Sequence, residues 1–164
     1  MKARLVLLAV LPVLACACGQ SGEHLIGPPS GGAPTTGAGG PGYMVQSGTV
    51  KGLGTVLVDG YGLTLYLFVP DHDSGRSRCF GYCATQWPPA TLPSGVTTPV
   101  IGGSVDRALI GTTRRGTALQ VTYKGWPLYR WIGDTASGQS TGEGIRNSGG
   151  LWYAVNLAGQ PVVH

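Results

Sequence analysis

One pattern occurs twice in this chain, and two copies of a unit have to find equivalent surroundings in whatever fold they build. Residues 62–77 contain Gly62, Leu65, Tyr66, Phe68, Asp71, Ser74, Gly75 and Ser77. Sixty-three positions on, Gly125, Leu128, Tyr129, Trp131, Asp134, Ser137, Gly138 and Ser140 repeat the frame. Chance gives about one identity in such a window. Seven identities and one aromatic exchange mark a duplication.

Around each copy the chain reads as short β-branched and aromatic runs broken by glycine, with no long helical periodicity. The 29 glycines and the charged fraction of 11% point the same way, to an all-β, turn-rich protein. In copy one, Met44–Lys51, Thr55–Asp59 and Leu63–Val69 are predicted strands, the first two joined at Gly52-Leu53-Gly54. In copy two, Arg107–Thr113, Thr117–Tyr123 and Trp126–Ile132 take the same places, with Arg114-Arg115-Gly116 as the first turn. Alignment of the copies centres the second turn on Tyr61-Gly62 and Lys124-Gly125, where glycine supplies positive φ.

Each third strand is apolar on both faces. With a period of two, Tyr66 and Phe68 share one face, and Leu63, Leu65 and Leu67 the other. Tyr129 and Trp131 repeat the first face, and Trp126, Leu128 and Ile132 the second. Such strands are central and covered on both sides. Trp152-Tyr153-Ala154-Val155 reads as a closing strand, with Trp87 the candidate for that part in copy one. The expected architecture is two duplicated antiparallel β-meander units packed as one sandwich or partly closed barrel. It spans residues 44–164, with repeat one about 44–90 and repeat two about 106–157.

The amino terminus is of another kind. Lys2 and Arg4 precede an apolar run, Leu5 to Leu14, too short to span a bilayer, and residues 1–15 read as a signal peptide. The junction Ala15-Cys16 resembles that of bacterial lipoproteins, whose cysteine is diacylated and becomes the first mature residue; Cys18 is the rival acceptor. Two acyl chains anchor stably where one is marginal. Residues 16–43, rich in Gly, Pro, Ser and Thr, lack the apolar residues that offset ordering entropy and read as a disordered tether. As a flexible coil such a leash reaches roughly 30 Å. His24 within it is incidental. Without Lys2 and Arg4 the balance is nine basic to seven acidic side chains. That balance does not point to nucleic acid, and Arg114-Arg115 reads as a solvated turn.

The residues that could carry chemistry are few. Asp71 and Asp134 follow the aromatic strands at one offset. Short carboxylates there fix turns by accepting backbone N–H bonds, or form a pseudo-symmetric pair for a cation or polar ligand. His72 and Asp73 extend the set at Asp71, but copy two has Thr135 and Ala136 there, and the run departs from the calcium-loop pattern. No metal site is expected, with Asp71, His72 and Asp73 as the alternative. Tyr66, Phe68, Tyr129 and Trp131 are core residues or the lining of a ligand pocket. Trp87-Pro88-Pro89 reads as an aromatic–proline brace or a recognition surface.

Cys79 and Cys83 enclose Phe80-Gly81-Tyr82 and are expected to oxidise outside the cytoplasm. A redox pair or thiolate metal site is the alternative. No nucleophile elbow, zinc-binding His-Glu-x-x-His or phosphate loop occurs, so no catalytic residue and no cofactor is expected.

Tyr66-Leu67-Phe68-Val69-Pro70-Asp71, Tyr129-Arg130-Trp131-Ile132-Gly133-Asp134, Cys79-Phe80-Gly81-Tyr82-Cys83-Ala84 and Trp87-Pro88-Pro89 together resemble the secreted repeat family of predicted bacterial lipoproteins, over roughly residues 50–156. The resemblance implies an extracytoplasmic, membrane-anchored protein and the repeat, and no mechanism. Copy two departs in lacking the cysteine pair, with Gly142 and Arg146 near the equivalent places. The expectation is a lipid-anchored envelope module that binds an envelope protein or polar ligand, or has a structural role, without turnover. A metal or redox role is the alternative.

Overall fold

The computed structural model describes residues 41–72 and 74–163, all within one compact unit. The signal peptide, most of the tether, Cys16, Cys18 and Asp73 lie outside the described residues. No described helix is long and apolar enough to cross a membrane.

The protein is all-β. Copy one opens with β1 (Met44–Val50) and β2 (Gly54–Asp59), an antiparallel pair in register from Val45↔Asp59 to Val50↔Gly54. Copy two opens with β5 (Ile110–Arg115) and β6 (Ala118–Tyr123), in register from Ile110↔Tyr123 to Arg115↔Ala118. The remaining strands are β3 (Tyr66–Phe68), β4 (Val100–Ile101), β7 (Trp126–Pro127), β8 (Arg146–Asn147) and β9 (Gly150–Ala154). They form three three-stranded sheets, ordered β2-β1-β4, β3-β9-β8 and β5-β6-β7. No sheet closes into a barrel.

Several local expectations are corrected. Arg114 and Arg115 belong to the strand, paired with Leu119 and Ala118, and the turn is Gly116-Thr117. Arg107–Leu109 is a 3-10 turn rather than the start of a strand, because the Asp106 carboxylate accepts the Ala108 N–H at 2.9 Å and caps it. The second turn of copy one is centred a residue early, on Gly60-Tyr61. The Gly62 N–H reaches the Asp59 carbonyl at 2.9 Å, and Asp59 Oδ1 accepts the N–H groups of Tyr61 and Leu63. Lys124-Gly125 is the turn of copy two, with φ of 51° and 84°. The third strands are shorter than expected. After Phe68 the chain enters a 3-10 turn, Val69–Asp71, where Pro70 has no N–H to extend a ladder. In copy two only Trp126–Pro127 is strand, and Ile132 is 47% exposed instead of facing the core. A short helix, α1 (Tyr82–Gln86), follows Gly81.

The closing segments are exchanged between copies. β9, in copy two, pairs with β3 of copy one through Tyr66↔Ala154 and Phe68↔Trp152. The segment after Trp87, in copy one, makes the matching bridges to copy two, Pro89↔Tyr129 and Thr91↔Gln120, as Asn156 does to Val56. The Leu57 N–H bonds the Val155 carbonyl and the Val121 N–H that of Ala90, both at 2.8 Å. Each half is completed by the other. At the centre Tyr66 and Tyr129 exchange both backbone hydrogen bonds, at 2.8 and 2.9 Å. A local twofold relation passes between them.

The two faces of the aromatic strands separate two cores. Leu65, Leu67 and Leu128 pack with Val45, Leu57, Val121, Tyr123 and Val155. Tyr66, Phe68 and Tyr129 pack with Trp87, Trp152 and Cys79 on the other side. This is the division that the period-two reading predicts.

Candidate functional site

The duplicated motif comes together in the second core. Trp87 and Trp152 stack face to face across the local twofold, with centroids 3.9 Å apart and planes 1° from parallel. Tyr66 meets Trp87 edge-on at 5.5 Å, and Tyr129 meets Trp152 edge-on at 5.1 Å. Phe68 lies against Trp152 at 4.2 Å, and Trp131 against Trp87 at 4.4 Å. Each of these ring contacts in one half has its counterpart in the other. Trp152 Nε1 donates to the Asn147 carbonyl at 3.3 Å, whereas Trp87 Nε1 has no hydrogen-bond partner among the described residues.

Each tyrosine reaches out of this cluster to the aspartate of the other copy. The Tyr66 hydroxyl donates to Asp134 Oδ2 at 2.5 Å, and the Tyr129 hydroxyl to Asp71 Oδ2 at 2.5 Å. The second oxygen of each carboxylate holds its own loop: Asp71 Oδ1 accepts the Arg78 N–H at 2.7 Å, and Asp134 Oδ1 the Thr141 N–H at 2.8 Å, both seven residues downstream. Asp71 is 0% and Asp134 4% exposed. Each carboxylate keeps free lone pairs, but burial closes them to a metal or substrate arriving from solvent.

Burial pushes the Asp71 carboxyl above the ordinary carboxylate range, against the pull of the Tyr129 hydroxyl and the Arg78 N–H. Burial also raises the Tyr66 hydroxyl well above its usual value, and the hydrogen bond to Asp134 adds to the rise. Tyr129 is raised by burial and then by the negative charge of Asp71. Both phenols hold their protons as donors.

The surroundings of the two pairs differ. The Ser77 hydroxyl, 2.8 Å away, donates to the Tyr129 oxygen, whose own proton goes to Asp71, and Arg115 binds both the Ser77 hydroxyl and the Cys79 carbonyl. Buried Gln120 donates from its amide to the Leu128 carbonyl at 2.9 Å. On the other side Thr141 Oγ1 donates to Asp134 at 2.7 Å, and the Gly142 N–H donates to the Tyr66 hydroxyl at 3.3 Å.

Cys79 and Cys83 form a disulfide with Cα atoms 5.2 Å apart, closing the loop before α1. Gly142 stands where copy one has Cys79. A Cβ there would come within 3.0 Å of Trp87, Tyr66 and Trp131, so the tight aromatic packing excludes a cysteine in copy two. His72 is exposed, its ring 4.7 Å from that of Trp126. Among the described residues no three His, Cys, Asp or Glu side chains gather as a metal site requires. Among the described residues are two clefts, one of about 360 Å³ beside Leu92, Val96 and Arg114, the other of about 190 Å³ beside His72, Lys124 and Trp126. None of Tyr66, Phe68, Asp71, Tyr129, Trp131 and Asp134 lines either.

The copied frame contains Ser77 and thus a signal for its role. Arg115 and Gln120 carry no such signal, because copy two alone supplies them and no counterpart marks them.

A family model described as a secreted repeat of unknown function matches this chain twice, over residues 49–91 and 111–156. The two matches coincide with the two halves of the fold. Comparison with curated proteins and with solved structures returned no match.

Proposed function

Since the chain belongs to this family of secreted repeats of unknown function, and so works outside the cytoplasm, we propose that it is a lipid-anchored module on the extracytoplasmic face of the cell membrane. It binds an envelope protein or polar ligand, or has a structural role in the envelope, and turns nothing over. Residues 1–15 are the signal, Cys16 the acylated first residue with Cys18 its rival, and residues 16–43 the tether, whose end at Pro41–Tyr43 is already a 3-10 turn of the β domain with Tyr43 buried in its core.

The observation that supports a non-catalytic reading is the reciprocal bonding of the motif. Tyr66–Asp134 and Tyr129–Asp71 are buried, have every carboxylate oxygen bonded and line neither cleft, although His72 beside Asp71 lines the second. General acid–base chemistry needs a group within reach of a substrate proton. These groups reach each other, backbone N–H groups and the hydroxyls of Ser77 and Thr141. The motif is a clasp between the halves, and binding falls to the surface.

Labelled palmitate fed to cells that express the full chain tests the anchor. Label is expected in the wild type and in Cys18→Ala, and none in Cys16→Ala. Label persisting in Cys16→Ala and absent from Cys18→Ala moves the anchor two residues; label in none of the three removes it. Calcium and copper titrations followed by melting temperature test the metal alternative, and no shift is expected.

A further inference from the structure

The folded domain has a surface charge that its composition conceals. Asp59, Asp71 and Asp134 are buried, and Asp59 is paired with Arg130 at 2.6 Å. Glu143 is half-buried, with Oε2 accepting the Ala154 N–H. Among the described residues Asp106 is then the one exposed acidic side chain, against seven exposed basic ones that include Arg76, Arg78 and Arg114. The clasp draws its negative charge inward and leaves a cationic exterior.

That charge coincides with exposed aromatics in one place. Arg76, Arg78, Phe80 and Tyr82 fall within seven residues, and no acidic residue occurs from 74 to 105. Phe80 is 58% and Tyr82 75% exposed, in a domain whose other aromatics, Tyr61 apart, are at least half covered. The segment is held from three sides. The Cys79–Cys83 disulfide closes it, Arg115 binds Ser77 and the Cys79 carbonyl, and the Arg115 guanidinium lies 4.4 Å from the Phe80 ring centroid. A preorganised loop gives up little entropy when it docks. Copy two has Thr141 and Glu143 where copy one has Arg78 and Phe80. The feature is therefore an addition to the repeat and not part of the clasp.

We infer that the loop from Arg76 to Tyr82 docks on an anionic lipid bilayer. Arg76 and Arg78 meet the phosphate headgroups, and the rings of Phe80 and Tyr82 enter the interface, where aromatic side chains are favoured. The rings argue for a bilayer over a soluble polyanion, which offers no apolar layer to receive them. The inference stands on the folded domain and does not require acylation at Cys16.

The test uses the chain from Gly19 onward, which lacks both acylable cysteines and retains the whole compact unit with both cores. It is expected to sediment with vesicles of equal parts phosphatidylcholine and phosphatidylglycerol, to stay in solution with phosphatidylcholine alone, and to be released by salt. At about 1 kcal/mol for each arginine at an anionic surface, Arg76→Ser/Arg78→Ser weakens binding on the order of 30-fold. Tyr82→Ser, at a side chain too exposed to matter for folding, weakens it severalfold. Lys51→Ser/Arg107→Ser removes equal charge elsewhere and leaves binding near wild type. Equal binding to neutral vesicles overturns the inference. So does an equal loss in the Lys51/Arg107 pair, retention in Arg76→Ser/Arg78→Ser or in Tyr82→Ser, or capture of inorganic polyphosphate without vesicle binding. None of these outcomes bears on the palmitate experiment.

Discussion

The Tyr129–Asp71 and Tyr66–Asp134 pairs share one geometry and one aromatic setting, and differ in the polar groups around them. Both hydroxyl–carboxylate bonds are 2.5 Å long, and both carboxylates hold an N–H seven residues on. Around Asp71 the shell is Ser77, Arg115 and the disulfide loop. Around Asp134 it is Thr141 and the bare Gly142 backbone. The groups that join the halves have stayed alike because each must fit the other's partner. Groups that face outward from the clasp were free to diverge. The difference separates what the duplication needs in order to fold from what one copy has since acquired.

The largest test of that separation lies on the twofold itself. Trp87 and Trp152 are fully buried, and either substitution to alanine is expected to cost about 3–5 kcal/mol in chemical denaturation. Because the rings stack on each other, the double variant falls short of the sum. Trp152→Ala is expected at the upper end, since it also loses the bond to Asn147. Widely unequal single values, or full additivity, would break the equivalence of the halves.

Alkaline titration comes next. Tyr66 and Tyr129 have folded-state pKa values raised above the ordinary tyrosine value near 10. The unfolded chain therefore releases these protons first as pH rises. The stability they contribute is whole below about pH 10 and is lost at about 1.4 kcal/mol per pH unit for each group above it. Either Tyr→Phe variant should take about 1.4 kcal/mol per pH unit off that slope in urea midpoints measured against pH, while Tyr123, also raised by burial, keeps its share. Asp71, also raised, has the same sign at acid pH: its contribution is present below the ordinary carboxylate value and fades as pH climbs through its folded value. Asp71→Asn should flatten that limb.

Comparison of the two phenol deletions then sharpens the difference in shells. Loss of a partner from a buried carboxylate costs about 1–3 kcal/mol. Tyr129→Phe leaves Asp71 with the Arg78 N–H, whereas Tyr66→Phe leaves Asp134 with both the N–H and the hydroxyl of Thr141. Tyr129→Phe is expected to be the more destabilising. Equal losses would mean that Thr141 adds nothing.

Much of this was legible in the sequence. The period-two alternation at Leu65-Tyr66-Leu67-Phe68 separates the two cores, and Trp152 and Trp87 are identifiable as counterparts. The exchange of closing segments was not legible. Two similar copies offer each strand two similar partners, and local sequence cannot distinguish its own from the other. The same ambiguity hid the destination of Asp71 and Asp134, which carry the turn-forming N–H bonds foreseen for them and also a long-range partner that was not. Short 3-10 turns and α1 have too few residues to leave a periodic trace. The cationic exterior escaped because burial, not composition, decides which charges a partner meets.

The smallest expected effect is at the disulfide, and it bears most directly on what copy one acquired. A five-residue ring contributes only about 2 kcal/mol through loop-closure entropy. Cys83→Ser should lower stability by about that much or less, because the Trp87–Trp152 stack and both Tyr–Asp bonds lie outside the ring. Hydrogen exchange should find faster exchange confined to the segment around Phe80 and α1, with the amides of Tyr66 and Tyr129 unchanged. If exchange at those two central amides rose as well, the loop would be part of the clasp, and the division between shared scaffold and added surface would fail at its clearest point.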